Sequence, residues 1–238
     1  MLSLWVTPLA WVLAFVFLLL QGMSFNQILL HYATITNVTI DQGPVQAYFG
    51  QSLFLVLSLF LVCPALTMRL FAEERRSGSI EALLTAPVSA AGVVLGKYLA
   101  TLATFVLLWA PTLFYVVILR DTGTVDWQIV GSSYLGVFGI GAGYLAVGTL
   151  TSTLTRSQLV AMMLAALVLF GLFVLGIGER IFPPGPLHDL CAHVSVLSQV
   201  AEMSKGVIDL RRLVFDLSLV VFPLFVAVRV VDSWRWTT

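Results

Sequence analysis

The sequence predicts an all-α, polytopic membrane protein with six transmembrane helices, a short helix between the second and third spans, and another helix in the long loop before the last span. Three observations carry that prediction. Hydrophobic residues make up 59% of the chain and charged residues only 10%, with a mean hydropathy of +1.00, which is far from the balance of a soluble domain. The charges fall almost entirely between the apolar stretches. The length of 238 residues holds about six spans of roughly 20 residues with short connections, and leaves no room for a separate soluble catalytic domain. The chain therefore reads as a single transmembrane domain over 1–238. Cys63 in an apolar run and Cys191 in a polar loop give no framework for a disulfide.

The first apolar stretch, 5–30, is long enough to span, and Thr7 and Pro8 predict that its first residues lie along the interface before the helix turns inward. A cleaved signal peptide is the competing reading, but no Lys or Arg precedes the apolar core and no small-x-small site follows Leu20. After a polar connection with Asp41 and a turn at Gly43 and Pro44, the second span covers 48–70 and is kinked by Pro64.

Phe71 to Ser89, FAEERRSGSIEALLTAPVS, interrupts the apolar pattern yet is itself patterned. Ile80, Leu83 and Leu84 recur at helical spacing and Val88 extends the stripe, so a helix here carries one narrow apolar face. Ser77 or Ser79 can cap its start, Glu81 suits the first turn, Gly78 supplies a sharp approach and Pro87 forbids much continuation. A helix of about two turns is unstable alone in water and needs a neighbour. That neighbour is another protein, its own bundle, or lipid headgroups.

The third span covers 90–119 and holds Pro111, and Arg120 to Asp126 is a short turn. In the fourth span, 127–151, Gly136, Gly139, Gly143 and Ala146 recur three or four residues apart. That spacing makes a helix-packing face of small residues, open either to a second copy or to the chain's own bundle. A polar turn holding Arg156 leads to the fifth span, 158–178. The loop 179–212 opens with Pro183, Pro184 and Pro186, and Val194, Leu197, Ala201 and Ser204 form one stripe ending near Gly206, a predicted C-terminal cap. This predicts a surface or re-entrant helix. The sixth span, 213–231, contains Pro223, and Arg229, Asp232, Arg235, Trp234 and Trp236 close the chain at an aqueous interface.

An even number of spans puts both termini on one side. That side carries Arg69, Arg75, Arg76, Lys97, Arg156, Arg229 and Arg235, against Arg120, Arg180, Lys205, Arg211 and Arg212 on the other. The positive-inside rule then places 71–89 and both termini in the cytoplasm.

Catalytic chemistry is poorly represented. Gly92, Gly96 and Lys97 fail as a phosphate loop, because the glycines are too close and Tyr98 stands where Ser or Thr must meet magnesium. His188, Asp189, Cys191 and His193 are metal-ligand types, but their spacing matches no recognised zinc pattern. No ionisable residue lies near the middle of a predicted span, which argues against an ion-coupled carrier or an intramembrane hydrolase. The driving force would then arrive from outside the membrane.

Glu74, then Gly78, Ser79, Ile80 and Glu81, Leu83 and Leu84, Pro87, Ser89, and Gly96 with Lys97 resemble the cytoplasmic signature of ABC type-2 permeases, particularly the gliding-motility and copper-maturation type. Leu154 to Gln158 resembles that family's turn between spans four and five, and Gly206 to Arg211 the segment before its last span. The resemblance implies the permease of an ATP-driven exporter in a bacterial inner membrane, paired with a second copy of itself and with ABC ATP-binding subunits. Gly78 to Pro87 would be the coupling helix seated on the ATPase, with Glu74 bracing it and Lys97 marking its exit. It also implies no catalysis and no cofactor on this chain, ATP and magnesium being held by the partner. Membrane lipid surrounds such a permease, an additional outer-side subunit is compatible with it, and nothing calls for nucleic acid. The chain departs from the family in starting almost inside the membrane, without a basic amphipathic segment first. The alternative reading is a passive channel or the structural scaffold of a membrane machine, with no ATP coupling.

Overall fold

Backbone polar groups cannot stay unpaired in hydrocarbon, so so apolar a chain must close its hydrogen bonds within helices. In the computed structural model, which describes residues 8–34, 43–50, 53–78, 89–122 and 126–234, all regular elements among the described residues are helical. They are α1 (Pro8–Thr34), α2 (Pro44–Gly50), α3 (Leu53–Thr67), α4 (Ala72–Ser77), α5 (Ala90–Trp109), a 3-10 turn (Ala110–Thr112), α6 (Leu113–Thr122), α7 (Trp127–Leu154), α8 (Gln158–Ile181), α9 (Pro186–Val194), α10 (Val196–Met203) and α11 (Leu210–Ser233). Six stretches are long and apolar enough to cross a membrane: Ala10–Tyr32, Leu53–Ser77, Ala90–Arg120, Trp127–Leu154, Gln158–Arg180 and Leu210–Ser233. The protein is a multi-pass, all-α membrane protein. Residues 1–7, with the expected interfacial turn at Thr7, lie outside the described residues.

The bundle is arranged around α7, which packs against α3, α5, α8, α10 and α11, most extensively against α11. Its small residues make this possible. A Cβ on Gly139 would lie 2.8 Å from Asp216 Oδ2, and one on Gly143 would lie 2.8 Å from Leu219 Cδ2, so α11 approaches α7 closely along this line. Gly136 faces Met203 of α10, Gly148 faces Thr67 of α3, and Ala146 is fully buried. The face of Gly136, Gly139 and Gly143 is thus covered by the chain's own α10 and α11. Buried hydroxyls return their hydrogen bonds to their own helix, as Thr149 does to Leu145 O (2.7 Å) and Thr67 to Cys63 O (2.8 Å).

Tyr48 and Phe49, expected at the start of the second span, lie in α2, and α3 is described from Leu53 onward, residues 51 and 52 lying outside the described residues. The Tyr48 hydroxyl donates to Gln21 Oε1 (2.9 Å), Gln21 Nε2 donates to Ser58 Oγ (2.9 Å), and Phe49 meets Tyr134 edge to face at 5.1 Å. These contacts draw α2 into the bundle against α1 and α7.

The helix expected in 179–212 is two helices, broken at Ser195, whose extended backbone caps α10 by accepting from Ser198 N (3.4 Å). The break resets the periodicity. The buried face of α10 is Val196, Gln199, Val200 and Met203, while Leu197 and Ala201 of the expected stripe are only half-buried and Val194 belongs to α9. Gly206 does close α10: with φ at +80°, its N–H donates to Met203 O (3.0 Å) and the Val207 N–H to Glu202 O (3.3 Å), the paired bonds of a Schellman turn.

This tucked helix also qualifies the expected lack of ionisable groups at depth. Asp216 (5% exposed) accepts from Gln199 Nε2 (2.5 Å) beside Gly139, well inside α7, and Arg212 (7% exposed) pairs with Glu202 at 2.8 Å. With Ser132 donating to Met203 O (2.7 Å), these bonds fasten α10 to α7 and α11 at what we call the Gln199 end of the bundle.

Replacing Gly148 by Leu puts a side chain where the Thr67 Cβ lies 2.9 Å from the position of an added Cβ. Overpacking of this kind costs about 1–3 kcal/mol. The variant is expected to melt measurably lower than the parent in detergent, followed by fluorescence-detected size exclusion after heating. Gly171→Leu, whose added Cβ meets nothing within 4 Å, is expected to leave the melting point unchanged.

Candidate functional site

At the opposite, Lys97 end of the bundle, α3 stops at Thr67, three residues after Pro64, and the chain turns through Met68–Phe71 into α4. A turn at this point frees backbone groups that the buried setting cannot leave unpaired. Ser152, in the last turn of α7, supplies much of the remedy. Its Oγ accepts from Phe71 N (3.0 Å) and Ala72 N (3.3 Å) and donates to Met68 O (3.3 Å).

Lys97 of α5 supplies the rest. Its ammonium donates to Leu70 O (2.5 Å), pairs with the Glu74 carboxylate, and lies 4.4 Å from the centre of the Phe71 ring. The side chains of Lys97 and Glu74 are only 20% and 32% exposed, so the pair is shielded more than a surface ion pair. Phe71 is fully buried, with its ring edge toward Trp234 at 6.3 Å. Arg75 donates to Thr153 O (2.9 Å) and stacks its guanidinium over Trp234 at 4.6 Å. The short helix α4 is therefore held by α5, by α7 and by the end of α11.

Gly78 ends α4 in a left-handed conformation, φ +74°, where an added Cβ would meet nothing within 4 Å. The backbone angle, not crowding, is what favours glycine here. Ser79, Ile80, Glu81, Leu83, Leu84 and Pro87 lie outside the described residues. The chain resumes at Ser89, whose hydroxyl caps α5 by accepting from Gly92 N (3.1 Å). The described chain is thus anchored on both sides of 79–88, by the bonds around α4 before it and by the Ser89 cap after it, and the ion pair between Glu74 and Lys97 joins α4 to α5.

Of the residues singled out from the sequence, Glu74, Gly78 and Lys97 come together here. Ser152, Thr153, Phe71 and Trp234 escaped notice as site residues; the polar run 152–157 and the terminal tryptophans were the only signals, and they read as an ordinary turn and an interfacial belt. The other candidate clusters carry less. Lys97 is committed to Glu74 and Leu70. His188 Nδ1 sits 3.3 Å from Asp189 Oδ1 and His193 Nδ1 2.6 Å from Asp189 O, and among the described residues no three such side chains are grouped to hold a metal ion. The Lys97 end ties α4 to three spans, α5, α7 and α11.

The family described as "ABC-2 family transporter protein" matches residues 19–194. No curated protein and no solved structure matches the chain.

Removing a hydrogen bond to a charged group costs about 1.5–3 kcal/mol, which converts to roughly tenfold or more in a local opening equilibrium. Lys97→Met is therefore expected to raise the rate of tryptic cleavage after Arg75 and Arg76 by roughly tenfold in membranes with that face accessible. Ser152→Ala is expected to act in the same direction, with the melting point of the bundle little changed.

Proposed function

The chain belongs to the ABC-2 transporter family and is the permease component of an ABC transporter, and from that premise we propose that it is the permease of an ATP-driven exporter of the gliding-motility and copper-maturation type. The single observation that carries the proposal is the anchoring of 79–88 at both flanks, with Glu74 and Lys97 joined across it. Members of this family usually work with an ATP-binding subunit. The apolar stripe of Ile80, Leu83 and Leu84 is the face that docks in that subunit, which also binds the ATP and magnesium. Movement of the ATPase pushes the docked segment, and the push reaches α5 through Lys97, α7 through Ser152 and Thr153, and α11 through Trp234. Two copies of the chain form the membrane part, and the path or the transmitted force runs between them. The Lys97 end faces the cytoplasm of a bacterium and the Gln199 end faces outward, as the Lys and Arg distribution favours.

Purification of the tagged chain from its native host in mild detergent, with mass spectrometry and an ATPase assay, tests this directly. A stoichiometric P-loop protein with ATPase activity is expected to co-elute, and to be lost in Leu83→Asp/Leu84→Asp while the variant remains folded in the membrane. A chain eluting without an ATPase would turn the reading toward a passive channel or scaffold. Orientation has its own test: Arg156→Cys is expected to react with an impermeant maleimide only from the cytoplasmic side, and Lys205→Cys only from the outer side.

A further inference from the structure

The third membrane-spanning stretch, Ala90–Arg120, is not one continuous α-helix. α5 stops at Trp109, Ala110–Thr112 form a 3-10 turn, and α6 starts at Leu113. Pro111 lies in that turn; it has no N–H to give, and its ring crowds the preceding turn of a helix. Proline alone does not force such a break, since Pro64 and Pro223 lie inside α3 and α11 without interrupting either. A 3-10 interruption in the middle of a span is the kind of place where a hinge is built.

The two halves of the span take different neighbours. On the side of the turn toward the Lys97 end, α5 packs against α7 and α11. The Tyr98 hydroxyl donates to Ala142 O (3.1 Å), and the Phe105 ring fills the space that a Cβ on Gly141 would need. On the other side, Tyr115 of α6 stacks on Phe25 of α1 at 4.6 Å and meets Tyr48 of α2 edge to face at 6.1 Å. α1 reaches the end of α5 where Phe17 lies edge-on to Trp109 at 5.1 Å. The turn itself is pinned to α7 by a side chain. The fully buried Thr112 hydroxyl donates to Trp109 O (2.7 Å), which leaves it to accept from the Tyr134 hydroxyl (2.8 Å).

We propose that Ala110–Thr112 is a hinge about which α5 swings relative to α1 and α6, and that the bond between Thr112 and Tyr134 is its latch. From Ala110 to Leu99 the helix runs about 16 Å, so a turn of ~20° at the joint carries Leu99 through about 6 Å. α5 can then shift together with Lys97 and α4 while the aromatic contacts of α6 with α1 and α2 stay in place. The hinge is a property of the bundle and does not depend on ATP coupling.

The full chain, in lipid nanodiscs without nucleotide and in a Cys191→Ser background, is spin-labelled at Val12→Cys and Leu99→Cys; both positions are exposed, and Cys63 is fully buried. Double electron–electron resonance then reads the separation of α1 and α5. The latched parent is expected to give one main distance. Thr112→Val and Tyr134→Phe, which remove the latch at nearly constant shape, should each spread the distribution by about 6 Å. Adding Pro111→Ala to Thr112→Val permits a continuous helix and should narrow it again. A control pair, Leu99→Cys with the exposed Leu154→Cys of α7, lies within the group that α5 shares with α7 and should stay narrow throughout. Size exclusion and melting report that each variant is folded. Distributions of both latch variants that match the parent, a spread that persists after Pro111→Ala is added, or a control pair that broadens as much as the first would each overturn the hinge.

Discussion

Lipid tails are as apolar as leucine, so the hydrophobic effect that holds soluble helices together does little to hold these, and close van der Waals approach must take its place. In this protein that approach is concentrated on α7. Gly139 and Gly143 admit α11, Gly136 admits α10, and Gly148 admits α3, with the intervening Ala146 fully buried. The other spans take their positions from this helix. Its serines and threonines do not compromise the packing, because each closes a bond to a nearby carbonyl and can lie in an apolar interior at little cost.

The Lys97 end follows from the same helix. Ser152 and Thr153 are in the last turn of α7, so the turn after α3 and the short α4 are built on the element that organises the bundle. Lys97 and Glu74 then join α5 to α4. The described chain before 79–88 is thereby tied to α5, α7 and α11, and the proposed coupling to an ATPase rests on that tie.

The Gln199 end solves a different problem. A charged side chain inside a membrane protein is tolerable only with partners. Asp216 has Gln199 and Arg212 has Glu202, and all four contribute to fastening α10 beneath the surface. Gln21, Tyr48 and Ser58 do the equivalent for α2. Two connections that would otherwise be loops therefore become short helices packed into the bundle, one from each of the long links at this end.

The helical class, the six apolar stretches and their order were legible in the sequence, because hydropathy and helical period are sums over neighbouring residues. The glycine at 206 was legible too, since a left-handed turn after a helix is a local demand, whereas Gly78 read as the approach to a following helix and the structure makes it the end of α4. Only the tertiary structure decided that Ser195 splits the long loop into two helices, that Tyr48 and Phe49 pack against Gln21 and Tyr134, and that Ser152 holds a turn some 80 residues earlier in the chain. It also decided what covers the small-residue face of α7. Glycine spacing announces that a helix will come close, but a residue without a side chain carries no mark of which helix that will be. The partner is a property of two surfaces brought together by folding, and no single stretch of sequence contains it.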